Sequence, residues 1–208
     1  HVVCRRQRQM CIRDSNIYDS LAVGPGIGVD NEDWEKSKDL LMNFEGLLIL
    51  DADALNRISE SKLGSKFFLK RKLKTWITPH KKEFLRLFPD IKSQNNVGLA
   101  LKAAKEFNIS VLLKGANSVI ADNKKAWQLF GTDSQTARAG LGDLLSGFVA
   151  GSSAIDLTFS KNITTEFFAK YVLLHSFAAS KCKTGSNASA IGDELSKLMR
   201  NSKTRQIS

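Results

Sequence analysis

"GLLILDADALN", residues 46–56, decides the fold of this 208-residue chain. The unbroken apolar run from Leu47 to Leu50 reads as a strand buried on both faces. Two carboxylates, Asp51 and Asp53, follow at once, and then a short helix expected to end near Ser59. The same grammar recurs along the chain. "SLAV" (20–23) stops at "GPGIG" (24–28), the strand in "TWITPH" (75–80) stops at Pro79, and "ISVLLKG" (109–115) ends on Lys114 and Gly115. Helical spacing of apolar residues separates these strands over residues 34–44, 82–88 and 97–107. "SVIAD" and "AWQLF" flank the polar "NKK" as a hairpin would, and further helices are expected over residues 165–181 and 191–200. Strands alternating with helices imply an α/β fold with a mostly parallel sheet covered by helices. In such sheets ligands bind outside the carboxyl ends of the strands, where the glycines and charges of this chain fall. No repeat, long linker or low-complexity tract divides it, so one domain is expected.

A second stretch carries the chemistry. In "TARAGLGDLLSGFVAG" (136–151), Ala139, Gly140 and Gly142 read as a tight loop, and Leu144, Leu145, Phe148 and Val149 recur at helical spacing. Asp143 therefore falls in the first turn of a helix, among unpaired backbone N–H groups at the positive end of the dipole. A glycine loop entering such a helix cradles an anion, and an Asp beside it can accept a proton. An isolated Gly-Asp pair is more often a helix cap, so the rest of the chain has to decide. Lys114, followed by Gly115, sets a cation and an approachable backbone at a strand end. Base, anion hole and cation together are what phosphoryl transfer requires.

Composition narrows the classes. With 42% hydrophobic and 25% charged residues, the chain is an ordinary globular sequence, and no apolar run reaches the roughly 20 residues of a membrane span. Walker A and GxGxxG patterns are missing, as is a nucleophile elbow. Outside the first fifteen residues only His80, His175 and Cys182 offer zinc-type ligands, too few and too scattered for a site. His175, on an apolar helix, reads as a hydrogen-bonded packing residue. Of the three cysteines only Cys182 lies outside those fifteen residues, which makes no disulfide framework and fits a reducing cytoplasm.

Residues 1–15, "HVVCRRQRQMCIRDS", show neither helical nor strand periodicity. Residues 10–15 back-translate to a sequence resembling a transposase mosaic-end adapter used in library construction. The segment is read as non-native and set aside, the other reading being a genuine basic arm. It holds Arg5, Arg6, Arg8 and Arg13 against Asp14, or +3 of the formal +10, leaving +7. The remaining charge, spread through residues 62–74, 81–82, 124–125 and the tail, lacks the aromatic interleaving of a single-strand binder. It reads as a solvated basic surface able to attract an anionic nucleotide, with no nucleic acid as partner.

"GPGIG", "LDADALN", "TPHKKEFLRLF", "VLLKGANSVIAD" and "TARAGLGDLLSGFVAG" occur in the order and spacing of the NAD(P)H-hydrate dehydratases. "HSFAASKCKTGSNASAIGDELSKL" (175–198) resembles that family's C-terminal helix and closing segment. The resemblance covers residues 19–199. It implies a ribokinase-like three-layer fold with a mostly parallel central sheet and helices on both faces. It implies ADP- or ATP-dependent dehydration of (S)-NAD(P)H hydrate to NAD(P)H: phosphorylation of the hydrate hydroxyl, then elimination of phosphate. By the motifs, Gly28, His80 and Asp143 contact the hydrate. Lys114, Gly115, Ala116, Asn117, Ser118, Gly140 and Gly142 contact the adenine nucleotide, and Asp143 is the base. Mg2+ is the implied cofactor, with Asp51 and Asp53 readable either as structural caps or as aids to its placement. Leu141 departs from the Thr, Ser, Met or Gln usual in the family, at a position that contributes backbone.

The family also carries strands and helices upstream of the point matching Asn16. Residues 16–208 therefore read as a dehydratase domain lacking its N-terminal part, expected to be poorly soluble and inactive alone and a homo-oligomer when complete. The rival enzyme reading is another ribokinase-like kinase, acting on hydroxymethylpyrimidine, hydroxyethylthiazole or pyridoxal. A rival from another class is a basic nucleic-acid-binding module.

Overall fold

Leu47, Leu48, Ile49 and Leu50 are all buried, and their side chains divide alternately between two separate cores. The computed structural model describes residues 18–28, 31–130, 140–160, 162–183 and 185–204. Strands β1 (Ser20–Val23), β2 (Leu47–Leu50), β3 (Thr75–Ile77) and β4 (Ser110–Leu113) run parallel and lie side by side in chain order. Strands β5 (Val119–Ala121) and β6 (Ala126–Gln128) finish the sheet as the expected antiparallel hairpin.

Strand order that follows chain order, joined by crossovers of one hand, puts every crossover helix on the same face. Those helices are α1 (Asn31–Asn43), α2 (Ala52–Glu60), α3 (Lys66–Lys70), α4 (Lys81–Leu87) and α5 (Asn96–Phe107). Leu48, Leu50, Ile77, Val111 and Leu113 face this layer, with Phe68, Phe84 and Phe88 among the rings packed on them. Leu47, Ile49, Trp76, Leu112 and Ile120 face the other way, onto α6 (Leu141–Phe159) and α7 (Thr165–Lys181). There Trp76 stacks on Phe168 with ring centroids 4.6 Å apart. Helix α8 (Ala188–Thr204) adds a smaller core of Ile191 and Leu195 against Ala178 and Ala179. The result is the expected three-layer α/β arrangement. Among the described residues no helix is long and apolar enough to cross a membrane.

The basic stretch over residues 62–74 is not uniformly the solvated surface that its charge count implies. Arg71 is buried, and its guanidinium donates to the carbonyls of Leu41 (2.7 Å), Phe44 (2.7 Å) and Gly46 (3.0 Å) and to the Thr75 hydroxyl (3.0 Å). It thereby satisfies carbonyls left open where α1 ends and the chain turns into β2. Burial pulls its pKa down to about 10. Lys74 is also drawn in, bonding Asn162 and the Ile163 carbonyl, and burial lowers its pKa.

Candidate active site

The carboxyl ends of β1 to β4 meet on one edge, and their loops touch. After β1 the chain turns at Gly24, whose φ of +138° and lack of a side chain let it press against Asp51; a Cβ there would overlap the Asp51 carbonyl oxygen. The same loop is tied further along, where the Gly28 N–H donates to Asp53 Oδ2 at 3.1 Å. After β3, His80 pairs with Lys114 as a parallel bridge beyond the ends of β3 and β4, and the Lys114 N–H donates to the Pro79 carbonyl at 2.8 Å. "GPGIG", "DAD", "TPH" and "KG" thus form one continuous rim.

Lys114 crosses that rim. Its ammonium donates to Asp51 Oδ1 at 2.7 Å. Asp51 is 1% exposed, whereas the Lys114 side chain keeps 26% of its surface. The Ser146 hydroxyl, from α6, donates to Asp51 Oδ2 at 2.7 Å, and the Ala52 N–H donates to Oδ1 at 2.9 Å.

Helix α6 enters from above the rim. Gly140 is its N-cap, in the left-handed region at φ +79°, and no side chain caps this end. Asp143 therefore does not cap the helix; it is the third helical residue and is exposed. Gly142 differs from the expected loop position, since it lies inside the first turn. Its missing side chain has another use: a Cβ there would stand 3.6 Å from Lys114 Nζ and 3.7 Å from Asp51 Oδ2, filling the space over the ion pair. Ala139, together with residues 131–138, lies outside the described residues.

His80 is the N-cap of α4. Its Nδ1 accepts the Glu83 N–H at 3.1 Å, and the Glu83 carboxylate accepts the His80 N–H at 2.8 Å. The ring nevertheless stays half exposed on the rim. Gly115, Ala116, Asn117 and Ser118 form the turn between β4 and β5, closed by the Gly115 N–H on Ser118 Oγ at 3.2 Å. The structure thus sets Lys114 beside Gly142 at the start of α6, one residue before Asp143, with His80 bridged to Lys114 and the turn at 115–118 directly beyond it. Gly28 lies on the rim segment tied to Asp53.

The family model described as NAD(P)H-hydrate dehydratase matches residues 1–200. The chain belongs to that family. A relative from Synechocystis, a bifunctional NAD(P)H-hydrate repair enzyme, is 36% identical over 139 residues, which is 66% of this chain and 26% of the relative. The chain spans about a quarter of the length of the curated relatives it matches. A ribokinase-like protein from Enterococcus faecalis shares the fold at a TM-score of 0.72 and 21% identity, covering 96% of this chain and 69% of that one. An ADP/ATP-dependent NAD(P)H-hydrate dehydratase from Bacillus subtilis, co-crystallised with ATP/Mg2+, does so at 0.72 and 20% identity, covering 94% of this chain and 72% of that one.

In this dehydratase-family chain the two carboxylates left open between capping and magnesium separate from each other. Asp51 caps α2, and both its oxygens are engaged by protein donors, one of them an ammonium. That environment does not fit a direct Mg2+ ligand. Asp53 already accepts from the Gly28 N–H. No group of three or more His, Cys, Asp or Glu side chains gathers for a metal among the described residues.

One residue escaped the sequence reading. Ser146 carries no motif signal, because a serine within "LLSGF" reads as one more helical position. His175 is buried as expected, and its Nε2 has no hydrogen-bond partner among the described residues. Burial pushes its pKa down to about 4, so the ring is neutral near pH 7.

Proposed function

We propose that this chain carries the ADP- or ATP-dependent dehydration of (S)-NAD(P)H hydrate to NAD(P)H, a repair of damaged cofactor in a reducing cytoplasm. One observation carries the reading: the Lys114 ammonium stands beside Gly142, in the glycine-framed first turn of α6, one residue before the exposed carboxylate of Asp143. Cation, open N–H groups and base are thus adjacent, as transfer of a phosphoryl group to a hydroxyl needs.

In this scheme Gly28 and His80 hold the hydrated nicotinamide, and the turn from Lys114 to Ser118 with Gly140 holds the nucleotide. Asp143 takes the proton of the hydrate hydroxyl as its oxygen attacks the terminal phosphorus. The bond to the nucleotide breaks, leaving ADP from ATP or AMP from ADP. The C–O bond of the new phosphate ester then breaks, a proton leaves the neighbouring carbon, and the ring double bond is restored. The N–H groups of Gly142 and its neighbours, with Lys114, bear the charge that builds on the phosphoryl oxygens. Mg2+ supplies charge neutralisation on the nucleotide's phosphates, on which it is carried in.

Residues 16–208 are assigned this work, and residues 1–15 none of it. The test is recovery of dihydronicotinamide absorbance from hydrated NADH on adding ADP or ATP with Mg2+, in the chain with and without residues 1–15 and with those residues exchanged for the upstream strands and helices of a family member. Recovery dependent on nucleotide supports the reading. Phosphorylation of a thiazole or pyrimidine alcohol with no recovery from the hydrate overturns it.

A further inference from the structure

Three separate segments converge on Asp51, and its neighbour Ala52 adds a fourth contact. Gly24 presses on its carbonyl, Ala52 and Lys114 donate to Oδ1, and Ser146 donates to Oδ2. The turn that delivers the carboxylate is strained, since Ala52 sits at φ +46°, a region that L-residues seldom occupy. Such strain persists only where surroundings over-determine it, and it concentrates at functional sites. A cap alone does not account for this arrangement. Capping α2 needs one oxygen and a backbone N–H, whereas the second oxygen is bonded by a helix 95 residues away.

The charge arrangement shows what the carboxylate does. A lysine is a compact charge on a flexible four-carbon stem, and by itself is a poor instrument for fixing a phosphoryl group in space. Here one of its three N–H bonds is held by a buried carboxylate that cannot turn, because Ser146 and Ala52 fix both oxygens. The ammonium is thereby anchored beside Gly142, and among the described residues its other N–H bonds have no acceptor, which leaves them for an incoming anion.

We propose that Asp51 is a positioning residue: held by Ser146, it fixes the Lys114 ammonium at the start of α6 and so sets where the transferring phosphoryl group lies. This rests on the function proposed above. It predicts an unusual separation of effects. Removing the carboxylate's charge frees the ammonium without removing it, so nucleotide affinity survives while phosphate placement and turnover suffer.

The experiment compares Asp51→Asn and Ser146→Ala with the unaltered chain, using ADP and Mg2+ as the probe. Affinity is read by calorimetry, phosphate environment by the 31P shift of bound ADP, and turnover with hydrated NADH. The expected result for Asp51→Asn is an ADP affinity within about threefold, a β-phosphate signal moved toward that of Lys114→Ala, and turnover lowered about 10- to 100-fold. Ser146→Ala, which keeps both charges, should move the same two readouts in the same direction by less, and it decides the matter where Asp51→Asn does not fold. An unmoved 31P signal, or equal loss of affinity and turnover, overturns the proposal and leaves Asp51 a structural cap. Failure of the dehydratase reading looks different: ADP then binds, yet neither the unaltered chain nor one given the upstream strands and helices of a family member turns over the hydrate, and the 31P comparison still judges Asp51.

Discussion

His80 and Glu83 hold each other by reciprocal side-chain to backbone hydrogen bonds, at 3.1 and 2.8 Å. Because Nδ1 is the acceptor in one of them, the neutral ring carries its proton on Nε2, 3.5 Å from Glu83 Oε1, and the ring is half exposed. In the proposed function that N–H is what His80 offers the hydrate, as a donor and not as a base. Asparagine is a strong N-cap whose shorter amide carries no N–H out to the position of Nε2. His80→Asn should keep thermal stability and ADP affinity while raising KM for the hydrate about tenfold, the loss expected for one hydrogen bond. A large fall in stability with unchanged KM would make His80 a cap and nothing more.

Asp143 is exposed and caps nothing, so its removal can be read without a folding penalty. Asp143→Asn should lower turnover about 10²- to 10⁴-fold, the range for loss of a general base, with ADP affinity kept. Single-turnover kinetics with ADP-saturated protein provide the check.

Lys114→Ala separates the two ligands. ADP binding should weaken about 10- to 100-fold, since hydrogen bonds to charged groups contribute about 1.5–3 kcal/mol, while the hydrate is affected less than twofold. The variant also leaves Asp51 buried without its ammonium, so urea unfolding should show a loss of about 2 kcal/mol, larger than an ordinary surface lysine would cost. Equal weakening of both ligands would put Lys114 between them.

His175 gives the fold an acid sensitivity of its own. Its folded pKa, lowered by burial to about 4, lies below the ordinary 6.5, so the unfolded chain binds the extra proton first as pH falls. Its contribution is complete above pH 6.5 and drains away as pH drops toward 4, amounting to about 3 kcal/mol across that window. Urea midpoints measured from pH 7 to pH 4 should fall less steeply in His175→Phe than in the unaltered chain. Parallel curves would remove His175 from the account.

Arg71→Met should lower stability by about 3 kcal/mol, because the buried carbonyls of Leu41 and Phe44 and the part-buried one of Gly46 lose their donor together. Arg71→Lys should recover only part of this, lacking the planar fork. Chemical denaturation with a constant slope against denaturant is the measurement.

The sheet was legible because its signal is local. Each strand is a short apolar run with a turn at its end, and α7 falls on residues 165–181 as expected from spacing alone. The places of Asp143 and Lys114 were legible for the same reason: each stands beside a glycine at a strand or helix end. What stayed hidden depended on contacts between distant segments. Nothing near Ser146 announces that its hydroxyl meets Asp51. Charge counting over residues 62–74 has no means of marking Arg71 as the buried cation, because the carbonyls that hold it belong to the end of α1 and the turn after it. Gly142 was placed in the loop because a glycine is usually read as a turn, whereas here it clears space over an ion pair.

The sheet's order also divides the ammonium's seat between two layers. Asp51 and Lys114 stand just beyond the ends of β2 and β4, within one sheet, whereas Ser146 belongs to α6, packed on the face away from the crossover helices. One carboxylate oxygen is thus satisfied by the sheet's own rim and the other only by a helix of the second layer. Any loosening of α6 from the sheet therefore unseats a charge as well as a helix.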